Sequence, residues 1–137
     1  MASPPPPLPG WDESCTVGVP ELDDQHRRLF RALEGLRASL QGRGSALEGL
    51  EGLLRDCAEH FADEEQLLAR VGYPRAVQQR VQHRVFLGRV RRLAEGVRGG
   101  TEAVGEGTVG GLAAWFRGHV CGLDREYGEW LRGRGRE

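Results

Sequence analysis

The chain has no apolar run of 18 residues, no CxxC pair and no excess of either charge, and each absence removes a class of function. Without a long apolar run there is no membrane span. With 19 Lys+Arg against 20 Asp+Glu, a formal net charge of −1, no basic surface is available to grip a nucleic acid or an anionic membrane, so neither is an expected partner. The arginines are scattered and stand mostly beside acidic residues, as on solvated helix faces. Cysteine is scarce: Cys15, Cys57 and Cys121 are odd in number and far apart. They make no disulfide framework, so reduced thiols in the cytoplasm are expected, with Cys57 and Cys121 as small packing residues. The opening MASPPPPLPG lacks the basic and apolar regions of a secretory signal and reads as an extended, mobile arm over residues 1–10. No segment alternates with period two for long enough to argue a strand.

What is present is helical periodicity. Hydrophobic residues make up 39% and charged residues 28% of 137, an ordinary balance for one globular domain, taken here as residues 11–137. Four amphipathic stretches follow a short lead-in, WDESCTVGVP. The first runs from Pro20 to Leu40, with Pro20 suited to a first turn and Glu21, Asp23 and Asp24 favouring the positive end of the helix dipole. The second begins at Ser45, where Ser45 and Glu48 form a capping-box pattern, and reaches Arg70. The third follows VGYP, with Pro74 in its first turn, and ends near Val97. RGGTEAVGEGTVGG then reads as the most flexible connection, before a fourth helix from Leu112 to Arg132. Short links between four helices predict an all-α, up-and-down antiparallel four-helix bundle.

Steps of three and four trace the inward stripe of each helix. The first carries Leu22, His26, Leu29, Leu33 and Leu36. The second carries Leu50, Leu53, Cys57, His60, Glu64, Leu67 and Val71. The third carries Ala76, Gln79, His83, Phe86, Val90, Leu93 and Val97. The fourth carries Leu112, Phe116, His119, Leu123, Tyr127 and Trp130. All four histidines of the protein therefore fall on core stripes, one per helix. Antiparallel packing sets them at similar depth. A single histidine on such a stripe is more often a satisfied core residue, and HxxxE at 60–64 arises by chance on many helices. Four imidazoles in one layer with a carboxylate are different, because hydrogen bonds alone offset their burial poorly. A pair of metal ions resolves the problem, and imidazole with carboxylate suits iron, manganese or zinc. His60 and Glu64 share one face a turn apart. Asp124 lies at the edge of the fourth stripe, close enough to reach inward. Asp63 and Glu65 read as solvated.

The segments VGVPELDDQHRRLF, HFADEEQLL, YPRAVQQRVQHRVF and WFRGHVCGLD resemble the hemerythrin family, specifically its single-domain bacterial members, from Trp11 to Asp124. The resemblance implies two non-haem irons joined by an oxo or hydroxo bridge. His26 and His60 would ligate one iron, His83 and His119 the other, with Glu64 and Asp124 bridging. O2 would bind at the open position of the two-histidine iron, beside a wall formed by Phe116 with Trp115 near it. The expected function is reversible O2 binding for storage, delivery or sensing. The family's HxxxH on the third helix here begins with Gln79, which would coordinate weakly, hold a water or leave a vacancy. That departure raises a second reading, a diiron redox enzyme acting on peroxide, NO or O2. A third is an iron-sensing domain whose folding follows metal occupancy.

Overall fold

In a computed structural model of the protein, which describes residues 7–134, proline opens the first helix as its sequence position implies. Helix α1 (Pro20–Ser39) has Glu21 and Asp23 in its first turn. Asp23 does more than favour the dipole: it turns inward and accepts hydrogen bonds from the backbone N–H of Val17 (2.9 Å) and Gly18 (3.2 Å), fastening the lead-in to the bundle. Helix α2 (Ala46–Val71) is capped by the Ser45 hydroxyl, which accepts from Glu48 N, and ends on Gly72 in the left-handed conformation, φ 71°. Helix α3 spans Ala76–Arg98, so Pro74 lies in the preceding turn and not inside the helix.

The fourth arm of the bundle is one continuous run of three pieces: α4 (Glu106–His119), a π-helical segment (Val120–Asp124) and α5 (Arg125–Arg134). It starts six residues before the expected Leu112, taking up half of the glycine-rich connection. The reason is local. Gly105 is extended and its N–H reaches the Thr108 hydroxyl, Glu106 pairs with Arg37 at 3.1 Å, and Val109 is fully buried. Burial of Val109, Leu112 and Ala113 outweighs the entropic cost of helical glycine, about 1 kcal/mol each.

Helix α1 packs on α2, α2 on α3, and α4 on α1, giving the all-α, up-and-down four-helix bundle that the four periodic stretches predict. The apolar interior divides in two. A large cluster contains Leu29, Leu33, Leu50, Phe61, Phe86 and Phe116; a smaller one contains Val17, Leu22, Leu68, Tyr73 and Tyr127. On every helix the histidine falls between a residue of one cluster and a residue of the other, so the polar layer is sealed above and below by packed side chains. The outer ends of the inward stripes drift. Leu68 and Ala94 are buried, whereas Leu67, Val71, Leu93 and Val97 are only partly so, as expected when a 3.5-residue rule is applied to a 3.6-residue helix. Among the described residues, no helix is long and apolar enough to cross a membrane.

Two expectations about the N-terminal part need correction or restriction. Cys15 and Cys121 are not reduced thiols but a disulfide across 106 residues of sequence, because a short 3-10 helix (Glu13–Cys15) packs against the π-helical segment with the two Cα atoms 4.1 Å apart. The odd cysteine out, Cys57, is buried and free. Burial pushes its thiol well up, which keeps it protonated and inert. The bridge also removes the thiol argument for a cytoplasmic location. Of the arm read over residues 1–10, residues 1–6 lie outside the described residues. Residues 7–10 are non-helical, with Leu8 packed against the large cluster and the Gly10 carbonyl accepting from Arg117.

The lead-in approaches α5 so closely that a Cβ at position 128 would collide with the Val17 carbonyl oxygen and stand 2.8 Å from its Cα. Both partners are backbone and cannot swing away. Gly128→Ala is expected to destabilise the fold by about 2–3 kcal/mol, read as a lower denaturant midpoint at unchanged m-value.

Candidate metal centre

Each helix delivers its polar residue to the middle layer by ordinary helical phase, except the last. Five residues separate His119 from Asp124, a spacing that in an α-helix would place them on different faces. The π-helical segment between them is wound more widely, so residues five apart stack, and both side chains reach the layer. The same underwinding moves Leu123, expected on the inward stripe, to a partly buried position and puts Asp124 in the core with no exposed surface.

All six residues singled out as ligands meet here. His26, His60, Glu64 and Asp124 form one group whose donor atoms lie within 4.8 Å of one another; Glu64, His83, His119 and Asp124 form a second. Glu64 and Asp124 belong to both. His26 Nε2 lies 3.2 Å from Glu64 Oε2 and 3.1 Å from Asp124 Oδ2. His60 Nε2 is 3.1 Å from Glu64 Oε1, and His119 Nε2 is 3.2 Å from Asp124 Oδ1. His83 Nε2 stands 3.4 Å from Glu64 Oε1 and 3.2 Å from His119 Nε2. Every one of the six is at most 5% exposed.

The protons on the outer ring nitrogens decide what this geometry means. His60 Nδ1 is 2.6 Å from Gln25 Oε1, and His83 Nδ1 is 2.8 Å from Glu65 Oε2; both partners accept, so each ring carries a proton on Nδ1 and, in its neutral form, leaves Nε2 bare. Their bare Nε2 lone pairs then face carboxylate oxygens, a repulsive contact unless a positive charge stands between. Buried His60 Nε2, Glu64 Oε1 and Asp124 Oδ2 find no hydrogen-bond partner among the described residues. Donor atoms about 3 Å apart are also the spacing of adjacent corners around a cation with bonds of about 2.1 Å. The residues present fit two cations sharing Glu64 and Asp124.

Charge points the same way. Burial disfavours a charged His26, but the carboxylate oxygens of Asp124 and Glu64 beside its Nε2 overcome this and raise its pKa from 6.5 to about 10. Burial likewise opposes the charged form of His83, and Glu64 and Glu65 lift its pKa nonetheless. Glu64 is pulled well below the ordinary carboxylate range against its own burial by His60, His26 and His83. The layer is a well of negative potential; a proton on His26 fills part of it in the metal-free protein, and an incoming cation would displace that proton.

Gln25, Glu65 and Tyr127 complete the site and were not read as part of it. Glu65 and Asp63, expected to be merely solvated, are both engaged: Glu65 orients His83, and Asp63 accepts from Gln25 Nε2 at 2.9 Å. The Tyr127 hydroxyl donates to Glu64 Oε2 at 2.7 Å. The available signal was adjacency, since Gln25 precedes His26 and Glu65 follows Glu64, and a residue beside a ligand projects toward the neighbouring helix. Gln79 is buried, donates from Nε2 to Asp124 Oδ1 at 3.0 Å, and leaves its own Oε1 without a partner among the described residues. Phe116 closes the His26 side, with ring centroids 6.4 Å apart and Phe30 packed on it at 4.9 Å. Trp115 stacks on His119 at 4.9 Å, and Phe61 on His83 at 3.9 Å.

The chain is similar to known proteins along most of its length. The family model described as a hemerythrin HHE cation binding domain matches residues 17–131. A bacteriohemerythrin of Stenotrophomonas maltophilia is 28% identical over 125 residues, 89% of this chain and 80% of the relative. A hemerythrin-like protein of Naegleria gruberi is 31% identical over 85% of this chain and 88% of its own length, and a myohemerythrin of Riftia pachyptila is 26% identical over the same shares.

Proposed function

The chain belongs to the hemerythrin family, and from that premise we propose that it holds two non-haem irons and binds O2 reversibly, for storage, delivery or sensing. The observation that carries the reading is the pair of four-residue groups sharing Glu64 and Asp124. His26 and His60 would hold one iron, His83 and His119 the other. The irons would supply the exchange of electrons with O2 that side chains alone do not.

This chain's residues set the conditions for that exchange to be reversible. Phe116 and Phe30 wall the His26 side with hydrocarbon, which keeps water and free protons from the ligand pocket. Gln25 and Glu65 hold His60 and His83 with Nε2 turned inward, so no reorientation is needed when a ligand arrives. Tyr127 fixes one oxygen of Glu64, which restrains the bridging carboxylate. A cleft of about 150 Å³ between α1 and α2, lined in part by Gln25, Leu29 and His60, gives a small ligand an approach to the layer.

Gln79 favours the second reading, a redox enzyme acting on peroxide, NO or O2. Its amide N–H is committed to Asp124, so the His83/His119 position has one imidazole fewer than the family's pattern supplies. An iron there would be more Lewis acidic and more open to exchange.

Metal content and the optical spectrum of the reduced protein before and after air decide between the readings. Two irons per chain with an oxygen-dependent band that disappears on removal of O2 is the expected result. Two irons with rapid, irreversible oxidation would transfer the assignment to the enzyme. One iron or none would sink both.

A further inference from the structure

We propose that the Cys15–Cys121 disulfide is a redox modification site, opened by a dithiol that docks over Cys121, and that its state sets how firmly the His119–Asp124 segment is held. The bridge joins the lead-in to the second residue of the five-residue π-helical segment, which His119 precedes and Asp124 ends. Among the described residues no other disulfide reaches that segment. A π-helical turn is rare and occurs mostly as a single-turn insertion within an α-helix, frequently at a functional site. Here the 3-10 helix Glu13–Cys15 packs directly against it.

The two sulfurs are unequal in access. Cys15 has no exposed surface, whereas Cys121 is partly exposed and opens onto a shallow surface groove lined by Pro9, Ala114, Arg117, Gly118 and Gly122. Gly118 and Gly122 flank the sulfur without side chains, and the space above each is open, with nothing within 4 Å of where a Cβ would stand. Attack is therefore directed at Cys121 Sγ. The incoming thiolate forms a mixed disulfide with Cys121 as the Cys15–Cys121 bond breaks, and Cys15 leaves as a thiolate that takes up a proton. Its S–H then finds Asp12 Oδ1, 3.9 Å away. The second thiol of the reductant closes on its own partner sulfur and expels Cys121, so two electrons and two protons pass from the dithiol to the protein. Cys57, buried and protonated, takes no part.

Opening the bridge does not release the lead-in altogether. Asp23 still accepts from Val17 and Gly18, Arg132 still donates to the Val17 carbonyl, and Arg117 still pairs with Asp12. What is lost is the tether within the ligand-bearing turn, so the expected consequence is faster metal loss, not unfolding. That part rests on the proposed metal centre; the thiol chemistry does not.

The full-length chain, with iron and without, separates the two. Alkylation under denaturing conditions without reductant should label one cysteine, Cys57. After native incubation with dithiothreitol it should label three. Reduction should lower the Tm of the metal-free protein by roughly 10 °C, because a tie across about 100 residues constrains the unfolded chain strongly. Iron release to a chelator should quicken roughly tenfold. Cys121→Ser and Cys15→Ser should each match the reduced protein and be indifferent to dithiothreitol. Three labelled thiols before any reductant would overturn the proposal, as would a bridge that opens only when the protein is denatured. Equal iron release from the oxidised and reduced forms would overturn the coupling to the turn. A chain that binds no iron but gives the expected thiol counts and Tm shift would fault the metal reading alone.

Discussion

Glu64→Gln is expected to empty both metal positions together. Glu64 is the residue whose two oxygens serve the most partners: Oε1 stands 3.1 Å from His60 Nε2 and 3.4 Å from His83 Nε2, while Oε2 lies 3.2 Å from His26 Nε2 and accepts from Tyr127. Glutamine keeps the volume, so packing is preserved. It removes the negative charge from a fully buried position and points an NH2 group at lone pairs that need a cation. Removing one member of a buried charge set costs about 3–5 kcal/mol, equivalent to a loss of affinity of a hundredfold or more at each position. Metal analysis after gel filtration should therefore fall from two ions per chain to a small residue, with helix content unchanged. Tyr127→Phe removes only one hydrogen bond from the same carboxylate and is expected to retain both ions. If Glu64→Gln keeps two tightly bound ions, the carboxylate does not bridge them.

The reason the convergence of these residues could be read from sequence at all is geometric. A buried histidine on a helix must sit in the apolar phase, and one such histidine per helix, in a bundle whose links fix antiparallel order, leaves little freedom in where they meet. Glu64 is in phase with His60, so it was visible for the same reason. Asp124 was harder, because its five-residue offset from His119 fits no α-helical face; a single turn of π-helix resolves it, and nothing in VCGLD announces one. The early start of α4 was hidden by glycines, whose low helix propensity is overridden by the burial of Val109 and Leu112. The disulfide was hidden by sequence distance, since 106 residues separate two cysteines that only the packing of the lead-in brings together. Gln25 and Glu65 were masked by their neighbours: both are polar residues on partly exposed helix positions, and their role exists only in relation to an imidazole on another helix. Periodicity reports the face a residue shares within its own helix; it says nothing of what stands across the gap.

Gln79→His is the substitution whose outcome separates oxygen binding from redox turnover. Position 79 is one helical turn before His83 on the buried face of α3, so an imidazole there enters the same layer. At present the glutamine amide donates to Asp124 Oδ1 at 3.0 Å and offers the layer only an amide oxygen, Oε1, which has no partner among the described residues. That oxygen is a weaker donor than imidazole nitrogen, and the hydrogen bond draws charge from the carboxylate common to both candidate ligand groups. Replacement would add a nitrogen donor at the His83/His119 position and free Asp124 from the amide. Retention of the second ion against a chelator should rise by roughly tenfold or more. If the native centre is a redox enzyme, an imidazole at 79 closes the exchangeable position, and peroxide or NO turnover should drop by about tenfold while the spectrum moves. If the native centre is an oxygen binder, O2 binding at the His26/His60 position should survive the change, and slower loss of the oxygen-dependent band is expected, since one exchangeable site has been removed. An unchanged spectrum, metal retention and turnover would mean that the side chain at 79 faces the metal pair without influencing it, and the asymmetry assigned to this centre would have to come from elsewhere.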